Sequence, residues 1–383
     1  MPVFPRTDSL TNKLKAEAKR LGFDFVGVTK PAPPAHYARY TNWLAQGHHA
    51  KMEYLATERA QYRRFDPRHI LPLCESILVL GASYAHPGPH VPAPIGHGKI
   101  ASYAWGDDYH NVLPERMQAL VTFLEQETGA PVPNRWYTDT GPILERELAQ
   151  QAGLGWVGKN GCLIHPQAGS TFFIAEILLG IPLDADQPFS TDHCGTCTRC
   201  LEACPTECIL PDRTLDANRC ISYLTIENKG EIPIKLRPKI EDWAFGCDIC
   251  QQVCPWTIRF GANPTFDAFQ PRFPVPAALT EELALTPQAF NRKFKHHPVK
   301  RAKRRGYLRN VCVVLGNQRD TSAVGALIAA LHDFEPLIRG HAAWALGQIG
   351  TPDALGALEI ALQGETDPVV RREIQDAQNS AQR

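Results

Sequence analysis

The residues best suited to chemistry in this chain are cysteines. Cys194-x2-Cys197-x2-Cys200-x3-Cys204-Pro205 opens a stretch that Cys247-x2-Cys250-x3-Cys254-Pro255 closes, and Cys220 stands between the two runs. Thiolates at this spacing let one loop wrap three corners of an iron–sulfur cube, and the fourth cysteine of such a run ligates the other cluster in two-cluster proteins. That crossing assigns Cys194, Cys197, Cys200 and Cys254 to one [4Fe–4S] cluster. Cys204, Cys220, Cys247 and Cys250 then hold the second, with Cys220 replacing the usual first cysteine of the second run. The chemistry implied is transfer of single electrons. Paired C-x2-C also binds zinc, but eight cysteines with two Cys-Pro endings exceed what one tetrahedral zinc needs. Cys74, Cys162, Cys208 and Cys312 are left over and read as packing residues.

The second chemical feature is charge. The 383 residues carry 40 Lys/Arg and 40 Asp/Glu. Residues 291–310 nevertheless hold Arg292, Lys293, Lys295, Lys300, Arg301, Lys303, Arg304, Arg305 and Arg309 with no acid among them, and His296 and His297 are interleaved. Lys/Arg contacts to phosphate give salt-dependent affinity without reading sequence. The run is therefore a candidate nucleic-acid surface, and its plainer reading is a solvated helix face. The N-terminus has no apolar signal segment, and the longest apolar run, 172–183, is broken by Glu176, Gly180 and Pro182. No membrane span is expected, and a cytoplasmic location suits free thiols and clusters.

These residues need elements to position them. Thr7 or Asp8 is expected to cap a helix through Leu21, followed by a strand at Phe23–Thr29. Ser76–Tyr84 reads as a buried strand, Lys99–Trp105 as another, and 112–127 as a helix with Leu113, Met117, Leu120 and Leu124 on one face. Asn134–Tyr137 is a short strand, and Thr138-Asp139-Thr140-Gly141-Pro142 turns into a helix over 143–152, where Asp139 reads as an N-cap. The segment 153–161 is rich in glycine, so backbone there turns sharply or approaches something closely. Cys162–His165 and Thr171–Leu178 are expected to pair as a hairpin. Residues 1–185 thus read as one α/β domain and 186–260 as the cysteine module. Residues 261–383 form a basic linker and helical repeats. Asp333-Phe334-Glu335-Pro336-Leu337-Ile338-Arg339 recurs 32 residues later as Glu365-Thr366-Asp367-Pro368-Val369-Val370-Arg371, the mark of a short HEAT-like solenoid.

Taken together, Asp108-Tyr109-His110, Asp139-Thr140-Gly141-Pro142-Ile143-Leu144-Glu145-Arg146, the segment 152–160, the cysteine array, Cys220-Ile221-Ser222-Tyr223-Leu224-Thr225-Ile226-Glu227 and Gly246-Cys247-Asp248-Ile249-Cys250-Gln251 resemble the epoxyqueuosine reductase family. Ser102 departs from the arginine often found there. The resemblance covers most of the chain. It implies a nitroreductase-like α/β cobalamin domain, a ferredoxin-like two-cluster domain and C-terminal HEAT-like repeats. It also implies cobalamin as cofactor beside the two [4Fe–4S] clusters, the anticodon stem-loop of tRNA as partner, and an external low-potential electron donor. The reaction implied is reduction of the epoxide of epoxyqueuosine, at the wobble position, to queuosine.

By match to the family, Asp139 is the expected proton donor, with Tyr109 and His110 as positioning or relay residues. Thr57, Asp139, Leu163, Ile174 and Ser222 are the expected cobalamin contacts. Lys159 and Asn160 are candidates for the cofactor's amides or an RNA phosphate. Two other readings share parts of this pattern: a corrinoid reductive dehalogenase relative, and a ferredoxin-type electron carrier on a helical docking scaffold.

Overall fold

The computed structural model describes residues 9–84, 88–261 and 263–381. Ser76–Ser83 is the axis of the first layer, and all eight of its residues are buried. It pairs antiparallel with Phe25–Thr29 on one side and Phe172–Leu179 on the other, and Asn134–Tyr137 completes a four-stranded sheet beyond Phe172–Leu179. Helices Leu10–Arg20 and Tyr109–Thr128 cover one face through Leu14, Ala18, Leu113, Met117 and Leu120. Helix Glu145–Gln151 covers the other through Leu148 and Ala149, with Ile143 beside them.

Several boundaries differ from expectation for local reasons. Thr7 and Asp8 lie outside the described residues, and the first helix is capped by Ser9, whose hydroxyl accepts from the Asn12 amide. The helix expected at 112–127 starts at Tyr109, because Asp108 caps it. Of the strand expected at Lys99–Trp105 only Lys99 and Ile100 are extended, as the end of a strand His97–Ile100, and Ser102–Ala104 tightens into a 3₁₀ turn. The hairpin expected between 162–165 and 171–178 does not form. Leu163–Ile164 pairs instead with Trp156–Val157, and a single bridge joins His165 to Gly169. The glycine segment explains this. At Gly155 a Cβ would stand 2.1 Å from the Ile164 carbonyl oxygen, and Gly161 turns the chain at φ +75°.

A small second sheet ties the chain together. His97–Ile100 runs parallel to Trp243–Phe245 and antiparallel to Ala277–Ala278, so three distant parts of the sequence share one ladder. Its core continues into helix Lys303–Gln318 through Tyr307, Leu308 and Val311. Helices Val324–Ala330, Pro336–Ile349, Pro352–Gly364 and Pro368–Ala381 stack beyond it. The 32-residue repeat seen in the sequence has a structural counterpart. Arg339 donates to the Asp333 carbonyl at 2.9 Å, and Arg371 donates to the Glu365 carbonyl at 2.8 Å.

Candidate active site and cluster sites

The cysteine runs fold into short helices and turns. Cys254 precedes helix Pro255–Phe260, and Cys220 precedes Ile221–Ile226. Cys194, Cys197, Cys200 and Cys254 together line a cavity of about 210 Å³, with Ile164, His193 and Trp256. The Trp156 indole N–H donates to Cys194 Sγ at 3.4 Å. Cys204, Cys220, Cys247 and Cys250 gather beside this set, near enough to feel one another's charge. Two cysteines expected only to pack also stand there. Cys208 Sγ is 3.5 Å from Cys204 Sγ, and Cys162 lies against Cys250. Cys74 and Cys312 are buried in the core.

A larger cleft, of about 1550 Å³, opens between helix Glu58–Phe65, the turn after Asn134–Tyr137, and helix Ile221–Ile226. Cys220 and Ser222 are in its wall, as are Thr57 and Asp139. Thr57 also caps its helix, accepting from the Ala60 amide at 3.2 Å. Leu163 and Ile174 belong to the sheet core behind the cleft, and the Ile174 carbonyl accepts from the Thr138 hydroxyl at 2.9 Å.

Asp139 is not a helix cap. The helix begins six residues later, with Leu144 at its cap position. Asp139 instead sits at φ +60°, a left-handed conformation that few non-glycine residues adopt, aspartate among the more tolerant. Three groups meet its Oδ2. Tyr109 Oη donates at 2.9 Å, Arg301 Nη1 donates at 3.1 Å, and His110 Nε2 lies 3.6 Å away. The Asp108 carboxylate orients His110, accepting from its backbone amide at 3.0 Å and its Nδ1 at 2.7 Å. Tyr109 is fixed by stacking on Phe173.

These contacts set the protonation states. Burial pulls the His110 imidazole down, but hydrogen bonds to Asp108 and Asp139 outweigh it and raise its pKa to about 9, so it is cationic at neutral pH. Enclosure by protein pushes the Asp139 carboxyl up. The hydrogen bond from His110, the Arg301 charge and the Tyr109 hydroxyl overcome that and hold it well below the ordinary carboxylate range. Protein surrounds Asp139 closely, yet 47% of its side-chain surface is still open to the cleft. That open face is where a bound ligand would cover it.

The basic stretch divides. Arg301 turns inward to Asp139 and lies 3.9 Å from Glu227, a role that its place in a charge run gave no sign of. Lys303 is exposed in the cleft wall. Arg304 pairs with Asp333 and donates to the Leu285 carbonyl at 2.6 Å, and Lys293 pairs with Glu282. Arg309 is fully buried and donates to the Leu224 and Asn228 carbonyls, so it holds the end of helix Ile221–Ile226 and cannot reach RNA. His297 is buried too, whereas Arg292, Lys295, Lys300 and Arg305 are exposed. Lys159 and Asn160 face the cysteine loops. Lys159 Nζ donates to the Gly195 and Cys197 carbonyls at 2.7 and 2.9 Å, and Asn160 Nδ2 donates to the Cys250 carbonyl at 3.4 Å.

Two sets of four sulfurs, one bordering a cleft that holds a charged carboxylate network, define an iron–sulfur redox protein with a reaction chamber. Residues 193–257 match the model described as "4Fe-4S double cluster binding domain", residues 64–140 "Epoxyqueuosine reductase QueG, DUF1730", and residues 304–378 "HEAT repeats". The chain belongs to the epoxyqueuosine reductase family. It is 41% identical to the epoxyqueuosine reductase of Cyclobacterium marinum over 79% of this chain and 95% of that one. It is 38% identical to that of Pseudomonas aeruginosa over 90% and 96%. The crystal structure of an epoxyqueuosine reductase with an epoxyqueuosine-modified tRNA-Tyr stem loop superposes with a TM-score of 0.90 at 32% identity, covering 98% of this chain and 99% of that one. The Streptococcus thermophilus enzyme gives 0.82 at 28% identity, covering 98% and 100%.

Proposed function

We propose that this chain reduces the epoxide of epoxyqueuosine in tRNA to the alkene of queuosine, with cobalamin in the cleft and two [4Fe–4S] clusters behind it. The observation that carries this reading is that Cys220, which the cysteine spacing assigns to the second cluster, and Asp139 line the same cleft. Cobalamin, when bound, supplies reducing electrons at a metal centre open to the substrate. Thr57, Ser222 and Asp139 line the space for it, and Leu163 and Ile174 support that space from the sheet. Ser222 is two residues from Cys220, which keeps a cofactor held there within reach of the second cluster. Electrons enter from an external low-potential donor on the first-cluster side, where Cys194, Cys197 and Cys200 lie in a loop whose intervening residues are exposed.

The conversion consumes two electrons and two protons and releases water. Asp139 delivers a proton to the oxygen as the carbon–oxygen bond breaks. With the cleft open, His110 and Arg301 hold Asp139 as a carboxylate. A ligand covering its exposed face removes water from it, which favours the neutral acid, and the His110 cation stands ready to supply the proton. Tyr109 fixes the carboxyl by its hydroxyl. The anticodon stem-loop lies along the exposed bases of 292–305, with its wobble nucleotide turned into the cleft. The α/β layer is read as nitroreductase-like and the protein as cytoplasmic. Among the described residues no helix is long and apolar enough to cross a membrane.

The test is anaerobic turnover of tRNA carrying epoxyqueuosine, read by nucleoside mass spectrometry. Loss of one oxygen is expected only when the reduced protein holds cobalamin and both clusters. Unchanged epoxide with fully loaded, reduced protein sinks the reading.

A further inference from the structure

The reduction needs two protons in a cleft that substrate and cofactor close, and the His110–Asp139 pair carries only one of them. Two other carboxyls lie under the Asp139 turn. Glu176 is in the middle of strand Phe172–Leu179, opposite Val79 and Tyr137. Strand alternation puts it on the same face as Phe172, Ile174 and Leu178, toward helix Glu145–Gln151. It is fully buried, and neither carboxyl oxygen has a hydrogen-bond partner among the described residues. A buried ion without a partner is far too costly to persist, so Glu176 is a neutral acid. Glu145 opens the helix that covers this face and lines the cleft. Its carboxyl lies by the Asp139 backbone amide, and its Oε1 has no hydrogen-bond partner among the described residues.

We propose that Glu145 is the store of the second proton and passes it to Asp139 after Asp139 has given up the first, while Glu176 stabilises the Glu145 carboxylate that this leaves. The inference rests on Asp139 being the donor to substrate. Both glutamates are positioning residues, since each acts through another group. In the transfer one proton leaves the Glu145 carboxyl and arrives on the Asp139 carboxylate. The Glu176 hydroxyl, which has no other acceptor among the described residues, is then free to donate to Glu145. Between turnovers Glu145 regains its proton from water in the open cleft, which it borders.

The charged and titratable groups around the pair support this. Burial and the Asp139 charge raise the Glu145 pKa to about 8, against the opposing pull of Arg146, the Asp139 amide and Arg64. Burial, then the charges of Glu145 and Asp139, push Glu176 well above the carboxylate range. Tyr137 across the strand and Cys74 in the same core also lie on that face, and the buried Glu147 on the covering helix pairs with His36 at 3.4 Å. The store is therefore loaded below about pH 8 and empties as pH rises through it.

The experiment is an infrared pH titration of the anaerobic holoenzyme, with single-turnover rates on the same samples. A neutral-carboxyl band is expected at neutral pH, and part of it should vanish as pH passes about 8 together with the rate. Glu145→Gln should remove that part of the band and shift the alkaline fall in rate up to the titration of His110, near pH 9, and slow turnover about tenfold or more at neutral pH. Glu145→Asp, which keeps a carboxyl on a shorter arm, should restore a fall with pH. Glu176→Leu distinguishes function from packing. It should raise the melting temperature, because it removes an unpartnered polar group, yet slow turnover and move the alkaline fall to higher pH. A holoenzyme without a titrating neutral-carboxyl band, or Glu145→Gln with the parent pH profile, overturns the relay. If Asp139→Asn is inactive in that case, the donor assignment still stands. A fully active Asp139→Asn removes both.

Discussion

Asp139 is the residue on which the proposed chemistry turns, and its backbone, at φ +60°, marks it as unusual. A non-glycine residue held at positive φ costs of order 1–3 kcal/mol and persists only where its surroundings fix it. Here the Thr138 hydroxyl on the Ile174 carbonyl, and the close packing of Gly141 against the Tyr137 ring, fix the turn. Asparagine tolerates the same backbone and keeps the hydrogen bonds, so Asp139→Asn isolates the proton. That variant should keep the absorbance of both clusters and of cobalamin but lose turnover by roughly a hundredfold or more. A variant as fast as the parent removes Asp139 from the mechanism. His110 gives a second prediction at this scale. Its pKa rises from 6.5 to about 9 on folding. A group raised in this way contributes stability that is complete below its unfolded pKa and is lost as pH rises through the folded one. Melting temperature should therefore fall between about pH 6.5 and 9, and His110→Gln should flatten that slope. An unchanged slope in the variant would assign the effect to other groups.

At the scale of elements, what the sequence made legible was what depends on local rules. The cysteine spacing placed Cys194, Cys197, Cys200 and Cys254 around one cavity because ligand order follows loop geometry. The unbroken apolar run of Ser76–Ser83 made a buried strand, and the repeat of proline and arginine made stacked helices. Long-range contacts were not legible. Nothing near Arg301 in the chain announces that it reaches Asp139, 162 residues away. Nor does a lysine after a glycine run announce that it reaches a cluster loop. Lys159 clamps the Gly195 and Cys197 carbonyls, and Asn160 ties the same segment to Cys250, so the glycine segment fastens the α/β layer to both cysteine runs. Lys159→Met should cost roughly 1–2 kcal/mol of loop stability, because the charge-assisted bonds are partly exposed. Its effect should be selective. Iron release to a chelator should speed up for the first cluster, while the second cluster's electron paramagnetic resonance signal persists. Equal loss of both clusters would point to general unfolding instead.

The whole molecule is interlocked rather than strung together. The ladder of His97–Ile100, Trp243–Phe245 and Ala277–Ala278 crosses every segment boundary read from the sequence. Arg237 and Glu373 join the cysteine region to the last helix by two hydrogen bonds, of 2.8 and 2.6 Å, in a nearly dry site. The helical repeat is thereby held at a fixed place relative to the cleft, and so is the basic stretch at its root. Only part of that stretch can meet a polyanion. Lys293, Arg301 and Arg304 are engaged by Glu282, Asp139 and Asp333, and Arg309 is buried. Lys295, Lys300 and Arg305 are exposed and make no ion pair among the described residues. Each phosphate that such a side chain neutralises releases counterions and adds to the dependence of affinity on salt. Reversing all three to glutamate should weaken tRNA binding, most strongly at low salt. It should also lower the slope of log affinity against log salt by roughly 2, at about 0.7 per single-stranded contact. Because none of the three borders Asp139 or a cysteine, the cluster spectra and cobalamin content should be those of the parent. A triple variant with the parent's salt slope would return the stretch to a solvated helix face and move the RNA path elsewhere on the cleft rim.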